Sequence, residues 1–97
     1  MTIRPYILDK AKAATMGERQ NSYGTPEDNF GRIANLWTAY LINGGCDYTV
    51  QKHDVALMLD LMKTARLQQT PNHTDSWIDK AGYSACGADV SGALADE

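Results

Sequence analysis

The sequence predicts an all-α fold, a compact bundle of about four helices. Three observations lead there. Apolar residues recur at helical spacing in every long segment, proline, threonine and glycine stand where helices would start and stop, and no segment alternates over strand length. The first helix should start near Pro5, because proline suits the first helical position. Ile7, Leu8, Ala11, Ala14 and Thr15 share one face, and Gly17 supplies the stop. The second start is the clearest local signal in the chain. Thr25 is a natural N-cap, Pro26 takes the first turn, and Glu27 and Asp28 favour the positive end of the helix dipole. Phe30, Ile33, Trp37, Tyr40 and Leu41 keep one face until Asn43-Gly44-Gly45 ends the run.

The third helix should span about Val50 to Gln69. Val55, Met58, Leu59, Met62 and Ala65 line one side, and Leu57 and Leu61 widen it. So broad an apolar stripe suits a central helix or one shared with a partner chain, so a homo-oligomer, dimer or higher, is expected. Pro71 and Asn72 form a turn, Thr74 caps the fourth helix, and Trp77, Ile78, Ala81, Ala85 and Cys86 give that helix an apolar side. Gly87 should end it. The domain is then residues 1–87, with 88–97 a small, acidic, frayed tail. Short turns between helices favour antiparallel neighbours.

Composition narrows the function classes. A net charge of −3 over 97 residues argues against a general nucleic-acid binder, which would show a basic face at domain scale. It leaves room for a small nucleotide held by a few local cations. No apolar run approaches the ~20 residues that cross a bilayer, and Arg4, Pro5, Asp9, Lys10 and Lys12 interrupt any signal-peptide core. Cys46 and Cys86 form neither a metal-ligand spacing nor a disulfide framework, so a reducing cytoplasm is expected.

The stretch Gly17-Glu18-Arg19-Gln20-Asn21-Ser22-Tyr23-Gly24 carries more chemistry than a turn requires. Arg19 offers a planar fork for phosphate oxygens, Tyr23 a flat face for a base, and Asn21 hydrogen bonds for a base edge. All are delivered beside a helix N-terminus, where backbone N–H groups favour anions. The competing interpretation is an ordinary polar connection whose Tyr23 tucks into the bundle. Glu27 and Asp28 oppose a phosphate at close range; they serve either as first-turn caps or as recruiters of a bridging metal ion. Asp75 and Asp79 lie one turn apart on one side of the fourth helix, and Tyr83 continues that side. Like charges so placed call for a cation between them, either Mg²⁺ or a protein side chain. Lys63 and Arg66 share a face of the third helix and are open to three uses: the fourth-helix carboxylates, ligand phosphates, or a salt-bridged exterior. Asp60 is placed to pair with Lys63. His53 and His73 lie near helix starts, where capping or solvent contact is usual, and Trp37 and Trp77 read as core.

Three ordered segments, RQNSYGTPEDNFGRIANLW, HDVALMLDLMKTARL and DSWIDKAGYSACGA, resemble a family of short phage and prophage proteins of unknown function, some of which carry the label phosphofructokinase. The resemblance covers roughly residues 7 to 89. The last segment is also similar to the D-x-x-x-D-x-x-x-Y helix of nucleotide-modification-associated phage domains, which in turn resemble the MazG-like all-α nucleotide pyrophosphohydrolases. The resemblance implies a MazG-like helical fold, a phage setting and a nucleotide-sized ligand. By it, Asp79 matches the acidic residue of the last catalytic helix, Lys63 and Arg66 are phosphate contacts, and Asn29 and Arg32 stand near the place of second-helix acids. The E-E-x-x-E cluster that holds Mg²⁺ in those enzymes has no counterpart here.

The expected function is therefore binding without turnover. The chain reads as a cytoplasmic phage protein that sequesters a small nucleotide signal of host defence, cyclic or linear, with no catalytic residue and with Mg²⁺ as a cofactor only under the enzymatic alternative. Its expected ligand residues are Arg19, Asn21, Tyr23, Asn29, Lys63, Arg66, Asp75, Asp79 and Tyr83. The alternative is a Mg²⁺-dependent nucleotide phosphohydrolase or nucleotide-modification accessory protein using Asp75 and Asp79, with Asp54 or Asp60. A third reading is an interaction module that blocks a host protein.

Overall fold

A computed structural model describes residues 2–17, 22 and 24–95, and among them it shows four α-helices. These are α1 (Arg4–Thr15), α2 (Pro26–Asn43), α3 (Lys52–Gln69) and α4 (Thr74–Ser91). The all-helical expectation holds, and most boundaries fall where local chemistry put them. Pro5 sits in the first turn of α1, and Gly17 follows that helix at φ +65°, in the left-handed region. Thr25 caps α2 by accepting the Asp28 N–H on its Oγ1 at 3.2 Å. Gly44 and Gly45 close α2, and Cys46 returns a hydrogen bond to the Leu41 carbonyl at 2.8 Å.

The order of packing differs from a bundle of short turns. After α2 the chain runs back along the helix it has just left. The Val50 N–H donates to Thr38 Oγ1 at 2.8 Å, and Lys52 forms an ion pair with Glu27 at the opposite end of α2. So α3 sets out beside the N-terminal half of α2. It then packs antiparallel on α4, the most extensive helix contact, while α1 lies against α4 from another side. The buried cluster is Phe30, Ala34, Val50, Val55 and Ala56, with Ile33, Trp37, Leu41, Leu59, Tyr83, Cys86 and Val90 packed against it.

Several side chains expected inside lie outside. On α3 the buried positions are Val55, Ala56 and Leu67, whereas Leu57, Met58, Leu61 and Met62 are 44–65 % exposed. Leu8 and Tyr40 also face out. Trp77 is 45 % exposed and donates its indole N–H to the Pro71 carbonyl at 2.8 Å, so it braces the α3–α4 turn instead of filling the core. The periodicities identified one apolar face on each helix; the packing covers only part of the broad α3 stripe and leaves Leu57, Met58, Leu61 and Met62 exposed.

The fourth helix starts and ends elsewhere than expected. His73 is its N-cap residue, with Thr74 the first helical residue. The His73 ring Nδ1 lies 2.7 Å from the hydroxyl of Ser76, itself fully buried. The helix runs through Gly87 to Ser91 and stops at Gly92, φ +87°. The domain boundary expected at residue 87 thus falls inside a helix. Gly87 serves packing: a Cβ there would lie 3.0 Å from the Ala56 Cβ, inside the ~3.5–4.0 Å optimum of carbon contacts. No helix among the described residues is long and apolar enough to cross a membrane.

Candidate functional site

The site is built where two helix ends meet over the middle of α4. α1 finishes with Ala14 and Thr15, the chain returns at Gly24 and Pro26, and α4 passes beneath with Asp79, Gly82 and Tyr83. Gly82 is buried, and a Cβ on it would stand 3.4 Å from the Thr15 methyl. Its bare backbone lets the end of α1 come down onto α4. Between these elements lies a cavity of about 350 Å³, walled by Phe30, Ile33, Leu59, Ile78 and Cys86, with Asn29 and Tyr83 also in its lining. That is the size and character of a small-molecule site, mostly apolar with a few polar groups that fix orientation.

At its edge stands an ion pair. Asp79 lines the cavity, and its Oδ2 accepts from Lys63 Nζ at 3.0 Å, both side chains about a third exposed. One turn away Lys80 Nζ donates to Asp60 Oδ2 at 3.0 Å and to Thr64 Oγ1 at 2.6 Å. The two pairs run in opposite senses between α3 and α4 and fix the register of the two helices. Asp60 was expected to pair along its own helix with Lys63; the antiparallel crossing gives each a partner on α4. Lys80 was not singled out from sequence. The available signal was the Asp60/Lys63 spacing opposite the adjacent Asp79-Lys80, which needs the register to be read.

The structure gathers Asn29, Asp79 and Tyr83 on one cavity and brings Lys63 to its edge. It does not bring Asp75 or Arg66 there. Asp75 is exposed in the first turn of α4, and among the described residues the ion pair of Lys63 is with Asp79. Arg66 is exposed on α3 and forms no ion pair among the described residues. Arg19, Asn21 and Tyr23 lie outside the described residues, between the two chain ends that frame the cavity. The α2 N-terminus offers an anion less than expected. Pro26 has no N–H, and the Asp28 N–H is taken by Thr25 Oγ1. Glu27 turns to Lys52. Among the described residues no three His, Cys, Asp or Glu side chains gather as metal ligands.

A second polar cluster lies at the other end of α3. Asp54 Oδ2 accepts the Gln51 N–H at 2.9 Å and the Tyr48 hydroxyl at 2.8 Å. The backbone hydrogen bond, then the phenol, hold this carboxyl below its ordinary range. The same carboxylate raises the Tyr48 hydroxyl above its own. This is a helix start, and it occupies one of the carboxylates considered for metal binding.

With the geometry in place, comparison with known sequences identifies the relatives. Residues 6–91 match the model of a domain of unknown function, DUF6378. The chain belongs to that family. It is 41% identical over 80 residues to the "Gene 55 protein" of Mycobacterium phage D29, covering 82% of this chain and 50% of that protein. It is 40% identical over 78 residues to the "Gene 55 protein" of Mycobacterium phage L5, covering 80% and 47% respectively. The chain thus spans about half the length of these phage relatives. No solved structure matches it.

Proposed function

We propose that this chain is a phage nucleotide-binding domain that holds a small phosphorylated ligand at the α1–α2–α4 cavity without hydrolysing it. One observation carries the reading. The chain segment containing Arg19, Asn21 and Tyr23 leaves the cavity wall at Thr15 and comes back to it at Gly24, so both its ends are anchored at the mouth. The Lys63 ammonium is paired with Asp79 of the same cavity wall. In this reading the apolar wall and Tyr83 receive the base, Asn29 orients it, and Lys63 with Arg19 meets the phosphate. The ligand exchanges places with Asp79 as the partner of Lys63.

Binding without turnover is supported by the donor count. Hydrolysis of a phosphoanhydride calls for a metal-held water and a clamp for developing charge. The described cavity wall carries one carboxylate, Asp79, already engaged by Lys63. Sequestration of a nucleotide signal in the infected cell is the use that fits such a site. The test is a panel of mono-, di- and cyclic nucleotides incubated with the protein and Mg²⁺, followed by thermal shift and chromatography of the supernatant after heat denaturation. A stabilising nucleotide recovered intact supports the reading. A converted nucleotide establishes the phosphohydrolase instead, and no shift across the panel favours the interaction module.

A further inference from the structure

The outer face of α3 is apolar and uncovered. Leu57, Met58, Leu61 and Met62 are 60 %, 44 %, 64 % and 65 % exposed. They occupy two successive turns, Leu57 and Leu61 opposite the Val55–Ala56 side and Met58 and Met62 flanking Val55, with no charged residue among them apart from Asp60, which Lys80 neutralises. Beside this ridge runs a groove of about 860 Å³, between α3 and the first turns of α1. Its far wall is Ile3, Arg4 and Leu8, and its floor includes Ala81, Ser84 and Ala88 of α4, residues too short to fill it. Leu57 belongs to both features: it begins the ridge and lines the groove.

We propose that a second copy of this chain docks here, the α3 ridge of each protomer entering the α1/α3/α4 groove of the other about a two-fold axis. This inference is independent of the nucleotide reading. Three observations select a second copy as the occupant. Ridge and groove are adjacent on one molecule, convex beside concave, which is the arrangement a self-complementary contact requires. The chain carries a net charge of −3, which favours meeting on a face of low charge, and here the Asp60 and Lys80 charges cancel each other, leaving Arg4 as the one further charged residue of the groove among the described residues. The area is also sufficient. The four ridge residues with Ile3, Leu8 and Trp77 are each about half exposed or more. At ~100 Å² apiece, half the span of a large side chain, and with flanking atoms, they approach the ~800 Å² per partner of a standard interface.

The test is sedimentation velocity of the full chain over a range of micromolar concentrations. The wild type should sediment at twice its 10.7 kDa and Leu61→Glu as a monomer with an unchanged helical circular-dichroism spectrum. Leu57→Lys serves the same purpose if Leu61→Glu does not fold. Tyr40→Glu, on the exposed side of α2, should remain dimeric. A wild type that is monomeric throughout overturns the proposal. So does one that stays dimeric with both α3 substitutions or comes apart with Tyr40→Glu instead. A monomer that is recovered only as a stoichiometric complex with another protein assigns the face to that partner and equally overturns it.

Discussion

Replacing Asp79 by asparagine separates binding from turnover at the candidate site. The Lys63–Asp79 pair measures 3.0 Å with both side chains about a third exposed, and pairs in that setting contribute ~0.2–1 kcal/mol. Asp79→Asn should therefore lower the melting temperature by ~1–8 °C, since ~1 kcal/mol corresponds to ~4–8 °C in a domain this small. Its effect on an anionic ligand has the opposite sign. In the wild type, phosphate must displace a carboxylate from Lys63 and then sit beside it. One pair of like unit charges 4 Å apart costs ~1 kcal/mol in water and more near protein. Removing the carboxylate should tighten binding of a nucleoside phosphate by about threefold to tenfold, 1.4 kcal/mol being a factor of ten. Isothermal titration calorimetry of wild type and Asp79→Asn with the nucleotide found in the panel reads this directly. A loss of affinity with the fold intact would refute the reasoning. So would a wild-type hydrolytic rate that the substitution abolishes, because Asp79 would then be acting on the reaction.

Other outcomes follow from the packing and the helix caps. Gly87→Ala should destabilise the protein by ~0–2 kcal/mol in chemical denaturation. The helix-propensity gain of ~1 kcal/mol is outweighed by overpacking of ~1–3 kcal/mol, because the new Cβ meets Ala56 at 3.0 Å; Ala56→Gly in the same chain should recover part of the loss, and a stabilised single variant would show that the contact relaxes freely. Asp54→Ala should cost ~1 kcal/mol near neutral pH, the usual size of a lost cap. The sign with pH follows from the direction of the shift. A carboxyl held below its ordinary value contributes stability above its unfolded pKa of ~3.9 and loses it as pH falls through the lower folded value. The gap between wild type and Asp54→Ala in melting temperature should close on acidification, and a gap constant from neutral to acidic pH would contradict this cap.

How far the sequence could be read depended on whether a feature was local. Thr25-Pro26 and Asn43-Gly44-Gly45 act within one turn of themselves, and the structure places the ends of α2 there. Gly87 looked like a terminator by the same logic, but its missing Cβ answers to Ala56 on another helix, which a linear reading does not reveal. Met58 and Met62 keep helical spacing with Val55, yet the cluster with Phe30, Ala34 and Val50 covers only the start of that stripe, at Val55 and Ala56, and the methionines further along are exposed. Trp77 seemed core by size, and a backbone carbonyl at Pro71 gives its indole a partner at the surface. At the site, the residue types of Asn29, Lys63, Asp79 and Tyr83 were legible, and their convergence needed the antiparallel register of α3 on α4. Asp75 and Arg66 were chosen by the same spacing rules and fall away from the cavity, because a helical turn that brings Asp79 to Lys63 leaves Asp75 in solvent.

The central claim is that a small phosphorylated molecule occupies the cavity between Thr15, Gly24 and Tyr83. Native mass spectrometry of the protein isolated from phage-infected cells tests it most directly. The account predicts a protein carrying one small phosphorylated adduct per cavity, released intact on denaturation and lost in Lys63→Ala. Protein that is bare in every preparation, or that retains the same adduct after Lys63→Ala, would contradict it.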